Sequence, residues 1–398
     1  MKVIYYSPHP THDIVSEVGY ATHQREVIHA LSSLGHEVLP IIMGGTEPSN
    51  LSPLAQPDYK PNTWKKLIKG MIPRVLWTSF NNFKLLRHDL KAGSKLESAI
   101  KAFQPDLIYE RSEYLQDSGA KMAFKYKIKY ILEVNAPFVE EMRSFEGYSL
   151  YEQKAHKVEK YKLKQANKVI VVSSSLGEFL VSKYDCDASK LFVQPNCINP
   201  QKVHLNLDKL EAVKQSLGIS SNDCVVGFVG SMFPYHGVDL LIDAFSKVQA
   251  KFPFCKLLIV GDGVILNDLK SQASNLGITE KVLFTGKIPH QNVFEYIAVM
   301  NICIMAKSNW YGSPVKLFEY GLMKKPIVAP KTKPVTDVMV DGLDALIIED
   351  KVDNLKNAIE YLIENKENAD KIAHSFHQKV LTNYTWEMAA KNIIKLCE

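Results

Sequence analysis

At 398 residues the chain is long enough for two domains that each bury a core, and 46% hydrophobic with 23% charged residues is globular composition, not fibrous or disordered. A net charge of +5 is too small to argue for nucleic acid, so the location of the charge matters more than its sum. Six cysteines without a CxxC pair imply reduced thiols. With no signal-peptide core and no apolar run near the roughly 18 residues of a membrane span, the expected location is cytoplasmic.

Lys2 to Tyr6 reads as a buried strand. A loop through Gly19 follows, then a helix from Ala21 to Leu34 with Val27, Ile28, Leu31 and Leu34 on its apolar side, then Gly35 as terminator and GHEVLPIIM as the next strand. This strand–loop–helix–strand unit opens an α/β sheet of the kind that binds ligands outside the carboxyl ends of its strands. The loop from Ser16 to Gly19 is therefore a candidate contact, with a plain turn glycine as the alternative.

Residues 60–95 differ in character. Lys60, Lys65, Lys66, Lys69, Arg74, Lys84, Arg87, Lys91 and Lys95 interleave with Trp64, Trp77, Phe80, Phe83 and several aliphatic residues, and Asp89 is the one acid. Such a segment suits an anionic membrane surface, and it equally suits a surface helix pair with a core-facing stripe. Further strands are read at DLIYERS, KYILEVNAP and KVIVVSSS. Polar groups follow their ends at Glu110–Arg111, Glu133–Asn135 and Ser173–Ser175, as on a ligand-facing edge. Between the last two strands, 139–168 is rich in Glu and Lys and reads as a solvated helix.

A polar, charged stretch over 199–222 reads as the entry to a second domain. CVVGFVG, CKLLIVGDG, KVLFTGKIP, ICIMA and KPIVAP alternate with helical patterns, implying a second parallel sheet. The expected organisation is a domain over 1–200, a second over 201–383 and a C-terminal helix over 384–398 that packs back on the first. Within the second domain, Trp310 to Pro330 reads as a loop, a short helix and a strand. Gly312, Ser313 and Pro314 bring backbone close to a ligand, and the amides at the helix start suit an anion such as a diphosphate. Lys316 adds charge there, and Glu319, one turn on, is placed to hold a ribose hydroxyl pair; the plain alternative is an i,i+3 ion pair.

No GxGxxG follows the first strand, and neither a P-loop, HExxH nor GxSxG is present. The ordered set GFVGSMFPYHGVDLLIDAF, LLIVGDG, VLFTGKIPHQNVFEYIAVMNICIMA and GSPVKLFEYGLMKKPIVAP, with GHEV, YERSE, LEVNAP, VVSSSL and VQPNCIN upstream, resembles retaining glycosyltransferases of family 4. The resemblance implies an α/β GT-B fold, two Rossmann-like domains with parallel sheets facing a central cleft. It also implies transfer of a sugar from a nucleotide-diphosphate sugar to a glycan or lipid-linked acceptor, in surface polysaccharide or glycolipid synthesis, with no metal and no further cofactor. By resemblance, Lys316, Glu319 and His236 form the catalytic set. Gly230, Ser231, Gly261, Gly312, Ser313, Pro314 and Val315 line the donor site, Gly19 meets the diphosphate from the other domain, and Glu110, Arg111, Glu133 and Asn135 lie on the acceptor side. Partners are then the nucleotide sugar, the acceptor and an anionic membrane surface at 60–95, and no nucleic acid.

Three positions depart from the family pattern. Tyr311 stands where the first glutamate of E-x7-E is expected, Ser231 and His236 replace an Arg and a Lys, and a histidine usual after KYILEV is absent. These departures leave two alternatives, a non-catalytic GT-B scaffold or binding subunit and a sugar-nucleotide epimerase.

Overall fold

A computed structural model describes residues 1–47 and 73–398. They divide into two units, Met1–Gln194 with Ala389–Glu398, and Pro195–Met388. The first is built on β1 (Lys2–Ser7), β2 (Glu37–Ile42), β3 (Leu107–Arg111), β4 (Lys129–Val134), β5 (Lys168–Val171) and β6 (Leu191–Val193), in the order β2-β1-β3-β4-β5-β6. The second is built on β7 (Cys224–Val229), β8 (Cys255–Val260), β9 (Val282–Phe284), β10 (Ile302–Ile304), β11 (Ile327–Pro330) and β12 (Leu346–Ile348), in the order β12-β11-β10-β7-β8-β9. Every ladder is parallel.

All-parallel strands are covered by helices on both faces, which is why the central strands are apolar runs and not alternating ones. In the second unit Phe228, Phe245, Ile259 and Ile359 pack on one side of the sheet, and Leu258, Met300, Phe318, Tyr320 and Phe376 on the other. Each strand order reverses once. The chain leaves β1 towards β2 and returns on its other flank at β3; β7 likewise separates β8–β9 from β10–β12. The crevices at the carboxyl ends of β1/β3 and β7/β10 are therefore the places where such sheets take ligands.

Expected and observed elements differ in instructive ways. The segment read as one solvated helix is two, Phe138–Glu146 and Glu152–Gln165. Its Lys162 is fully buried, donating to Ser112 Oγ and the Glu113 carbonyl with Glu159 2.8 Å away. A charged pattern misleads here because an internal acid and two oxygens satisfy the amine. At the C-terminus the chain rejoins the first unit, where Lys129 Nζ donates to the Cys397 carbonyl. Of the basic segment, residues 60–72 with Lys65, Lys66 and Lys69 lie outside the described residues, and the remainder enters helix Arg74–Phe103.

Two strand-end turns in the second unit require glycine. Gly230 and Gly261 follow β7 and β8 with φ of +149° and +133°, and a Cβ on Gly261 would lie 2.0 Å from the Gly230 carbonyl oxygen. Gly261→Ala is expected to cost about 3 kcal/mol or more, because both the backbone and the neighbouring peptide must move. Gly277→Ala, at φ +68° with nothing within 4 Å, should cost only about 1 kcal/mol. Urea titrations of the two variants check the ranking, and equal losses would contradict it.

Candidate functional site

Around β7/β10 the second unit assembles its site from four strand-end loops. Helix Val315–Leu322 follows the β10 loop, with Pro314 as its N-cap. Tyr320 on this helix accepts a hydrogen bond from the Val229 amide at 2.8 Å, which ties the helix to the end of β7. That tie places Lys316 over the β7 turn. Its Nζ lies 4.1 Å from the centroid of Phe228, and a Cβ on Gly230 would approach it to 2.8 Å, so Gly230 makes the room the amine occupies.

Lys316 is 8% exposed, and its Nζ has no hydrogen-bond partner among the described residues. Burial drives its pKa down to about 7, with Glu319 only partly opposing the shift. A buried amine facing an aromatic ring and lacking an acceptor is costly, and an anion is what would relieve it. His236 sits beside it with Ser231 Oγ 3.4 Å from Nε2. Burial, then the charge of Lys316, hold His236 down to about 3, so at neutral pH it is an uncharged hydrogen-bonding group.

Glu319 is 6% exposed and receives His290 Nε2 at 2.8 Å. His290 is not among the residues expected from the sequence, although its position just past the end of β9 is a signal for it. The backbone cradle is narrower than expected. The Gly312 amide already donates to Asn309 Oδ1 at 2.6 Å and Pro314 has no N–H, which leaves Ser313, Val315 and Lys316 for the role. The Ser313 hydroxyl accepts from the Asn196 amide, whose side chain donates to the Ser313 carbonyl. Gly261 lies against the Gly230 turn and shapes it, with its own amide donating to the Gly286 carbonyl. Tyr311 packs edge-on against Trp310.

The first unit's switch point is polar in a different way. Glu133 is 1% exposed and receives Tyr109 OH at 2.6 Å, Asn135 Nδ2 at 2.7 Å and Arg111 Nη1 at 3.3 Å, with His23 Nε2 2.6 Å from its carboxylate. Burial alone would raise its pKa, but His23, Arg111 and Tyr109 outweigh it and hold the carboxylate at about 2. Arg111 and Asn135 are thus engaged in fixing Glu133. Glu110, expected on the ligand-facing edge, is 0% exposed instead. It points under helix Ser118–Tyr126, where a Cβ on Gly119 would collide with it, and accepts from Tyr130 OH at 2.8 Å. Burial lifts it to about 8, so it is a protonated core residue at neutral pH. Gly19 opens helix Gly19–Ser33 at the surface, with nothing within 4 Å of where a Cβ would stand.

Two sequence-family models match the chain: "Glycosyltransferase Family 4" over residues 19–202 and "Glycosyl transferases group 1" over residues 210–379. An uncharacterised glycosyltransferase of Methanocaldococcus jannaschii is 27% identical over 271 residues, 66% of this chain and 64% of that protein. A GDP-mannose-dependent alpha-(1-6)-phosphatidylinositol monomannoside mannosyltransferase of Mycolicibacterium smegmatis is 24% identical over 48% of this chain and 51% of its own length. These matches therefore span from about half to just under two thirds of the relatives' length. Among solved structures, Anabaena HepE in complex with UDP superimposes with a TM-score of 0.71 at 16% identity, covering 99% of both chains, which shows a shared fold.

The depressed amine makes a signed prediction. Well below pH 7 Lys316 is charged in folded and unfolded chains alike, and its burial destabilises the fold in full; at pH 7 the folded amine is about half charged. As pH climbs from 7 towards the unfolded value near 10.5, the unfolded chain keeps a proton that the folded chain has lost, so the fold gains stability. Lys316→Met is expected to raise the melting temperature of the ligand-free chain at pH 7, by about 2–4 °C for each kcal/mol relieved. The gap to wild type should narrow towards pH 10. Scanning calorimetry across this range checks it; a lower melting temperature, or a gap widening with pH, would contradict the assignment.

Proposed function

The chain belongs to the glycosyltransferases of group 1 and family 4, and on that premise we propose that it moves a sugar from a nucleotide-diphosphate sugar to a glycan or lipid-linked acceptor, with retention at the anomeric carbon. The observation that carries this reading is the buried, unpartnered Lys316 amine at the β7/β10 switch point, one helical turn from the His290-bound carboxylate of Glu319. Lys316 meets the charge of the diphosphate, supported by the amides of Ser313 and Val315 and the N-terminus of helix Val315–Leu322. Glu319, oriented by His290, accepts from the ribose hydroxyls. His236, neutral at pH 7, donates or accepts one hydrogen bond beside the amine.

In the reaction, negative charge builds on the leaving diphosphate while the sugar gains oxocarbenium character. A preformed amine and helix terminus stabilise that charge without a metal at the diphosphate. The departing phosphate takes the acceptor's proton, and the protein's contribution is orientation and charge stabilisation. Tyr311 in place of an acidic residue favours a second reading, a nucleotide-binding subunit without transfer activity.

Calorimetry with UDP, GDP and ADP tests the site. One nucleotide is expected to bind, and Lys316→Met and Glu319→Ala are each expected to weaken it at least 30-fold, about 2 kcal/mol. Wild-type affinity in both variants would move the site elsewhere, and binding without turnover of any nucleotide sugar would favour the second reading. The anomeric configuration of the product, read by NMR, decides retention.

The acceptor reading draws support from the lipid acceptor named for the mycobacterial relative and from helix Arg74–Phe103. Leu76, Phe80, Phe83 and Leu90, at helical spacing, are 53%, 51%, 43% and 71% exposed. Lys84 lies over Phe80 and Arg87 over Phe83, while Asp89 is turned inward onto Ser118. Among the described residues no helix is long and apolar enough to cross a membrane. An apolar stripe fringed with cations is suited to the surface of an anionic bilayer on the cytoplasmic side. Phosphatidylglycerol vesicles should sediment the chain, and Phe80→Ser/Phe83→Ser or Lys84→Gln/Arg87→Gln should reduce recovery severalfold. Recovery indifferent to both pairs and to salt would remove the membrane from the account.

A further inference from the structure

We propose that His9, His12 and Glu113 form a binding site for one divalent transition-metal ion of the zinc class. His9 and His12 lie in the loop after β1 and Glu113 just beyond β3, so all three meet at the first unit's switch point. One ligating atom from each falls within 4.8 Å of the others. Two imidazoles and a carboxylate are the donor set of three-ligand zinc sites, which keep a position open for water or a ligand oxygen; magnesium and calcium favour oxygen ligands.

The three side chains are already gathered before any ion arrives. The His12 ring lies stacked between His9, at 4.1 Å, and Tyr20, at 4.4 Å. His9 Nδ1 accepts from the Thr11 amide at 3.3 Å and lies 2.9 Å from Thr11 Oγ1, contacts that hold the ring within the loop. The loop itself is pinned where Gln116 Nε2 donates to the Pro8 carbonyl at 3.0 Å, with His88 Nε2 3.1 Å from the same oxygen. Asp13 Oδ1 accepts from the Val15 and Ser16 amides, and Arg25 donates to the Ile14 and Ser16 carbonyls.

Charge also favours a cation. Glu113 is 3% exposed, and its carboxylate has His12 Nδ1 at 2.6 Å. Arg111 stands 4.0 Å off and closer to Glu133, while Lys162 donates to the Glu113 carbonyl and not to its carboxylate. The ion would take the place of the contact between His12 Nδ1 and the Glu113 carboxylate. Both rings are only half-buried, so they can turn the small amount needed to converge. Lys316 and Glu319 have no part in this site, so it is independent of the donor reading.

The test uses the full chain without a histidine tag, stripped with chelator. Zn²⁺ is titrated against a chromophoric competitor, and Co²⁺ is added separately for its visible spectrum. One ion per chain is expected, with Co²⁺ bands of four- or five-coordinate intensity. His9→Gln and His12→Gln should each weaken binding at least tenfold with unchanged circular dichroism, while His374→Ala, at the surface, should not. Absence of a stoichiometric ion, or wild-type affinity in both glutamine variants, would overturn the proposal. Should those variants unfold, a wild-type Co²⁺ spectrum showing only the weak bands of the hexaaquo ion would overturn it alone.

Discussion

The candidate site of the second unit is arranged around one buried amine that has no hydrogen-bond partner among the described residues. Lys316 is carried to the end of β7 by a helix that Tyr320 bolts to the Val229 amide, and Gly230 supplies the space for it. A lysine on a surface helix would extend into solvent. This one is covered, lies over Phe228 and has lost most of its basicity. Such an arrangement costs stability in the ligand-free chain, and positions of that kind belong to function more often than to folding. His236 and Glu319 follow from it: the first is kept neutral partly by the amine's charge, the second offsets part of the burial penalty.

The two switch points answer the same topology with opposite electrostatics. In the second unit an amine is buried without a hydrogen-bond partner among the described residues. In the first, Glu133 is buried with a surplus of donors and Glu113 with few. Glu133 organises Tyr109, Arg111, Asn135 and His23 into a rigid ring of groups at the ends of β3 and β4, so those side chains act first as its scaffold.

The fold is largely readable from the chain, because apolar strands alternating with helical periods leave few architectures open, and the GT-B resemblance specifies which. Strand order is not readable, since periodicity carries no information about neighbours. At the candidate site, the spacing shows Lys316 and Glu319 as an i,i+3 pair after a glycine–proline loop, and the resemblance supplies the roles expected of them. His290 is hidden because it meets Glu319 only through the packing of β9 beside β8, 29 positions away in the chain. Glu110 misleads for the converse reason. A polar residue near a strand end can point to either face, and only the placement of Gly119 above it decides that it faces inward. Gly312 shows the same limit on a smaller scale, its amide being claimed by Asn309 three residues earlier.

The central claim is that Lys316 receives the diphosphate, and proton uptake on binding tests it most directly. A nucleotide sugar has no diphosphate proton to exchange near neutral pH, so calorimetry of UDP-glucose and GDP-mannose in buffers of different ionisation enthalpy isolates the protein's protons. An amine with a pKa of about 7 is mostly neutral at pH 8, and an adjoining diphosphate should recharge it. The account predicts uptake approaching one proton at pH 8 and falling towards zero at pH 6. Binding at pH 8 with no proton taken up would contradict it.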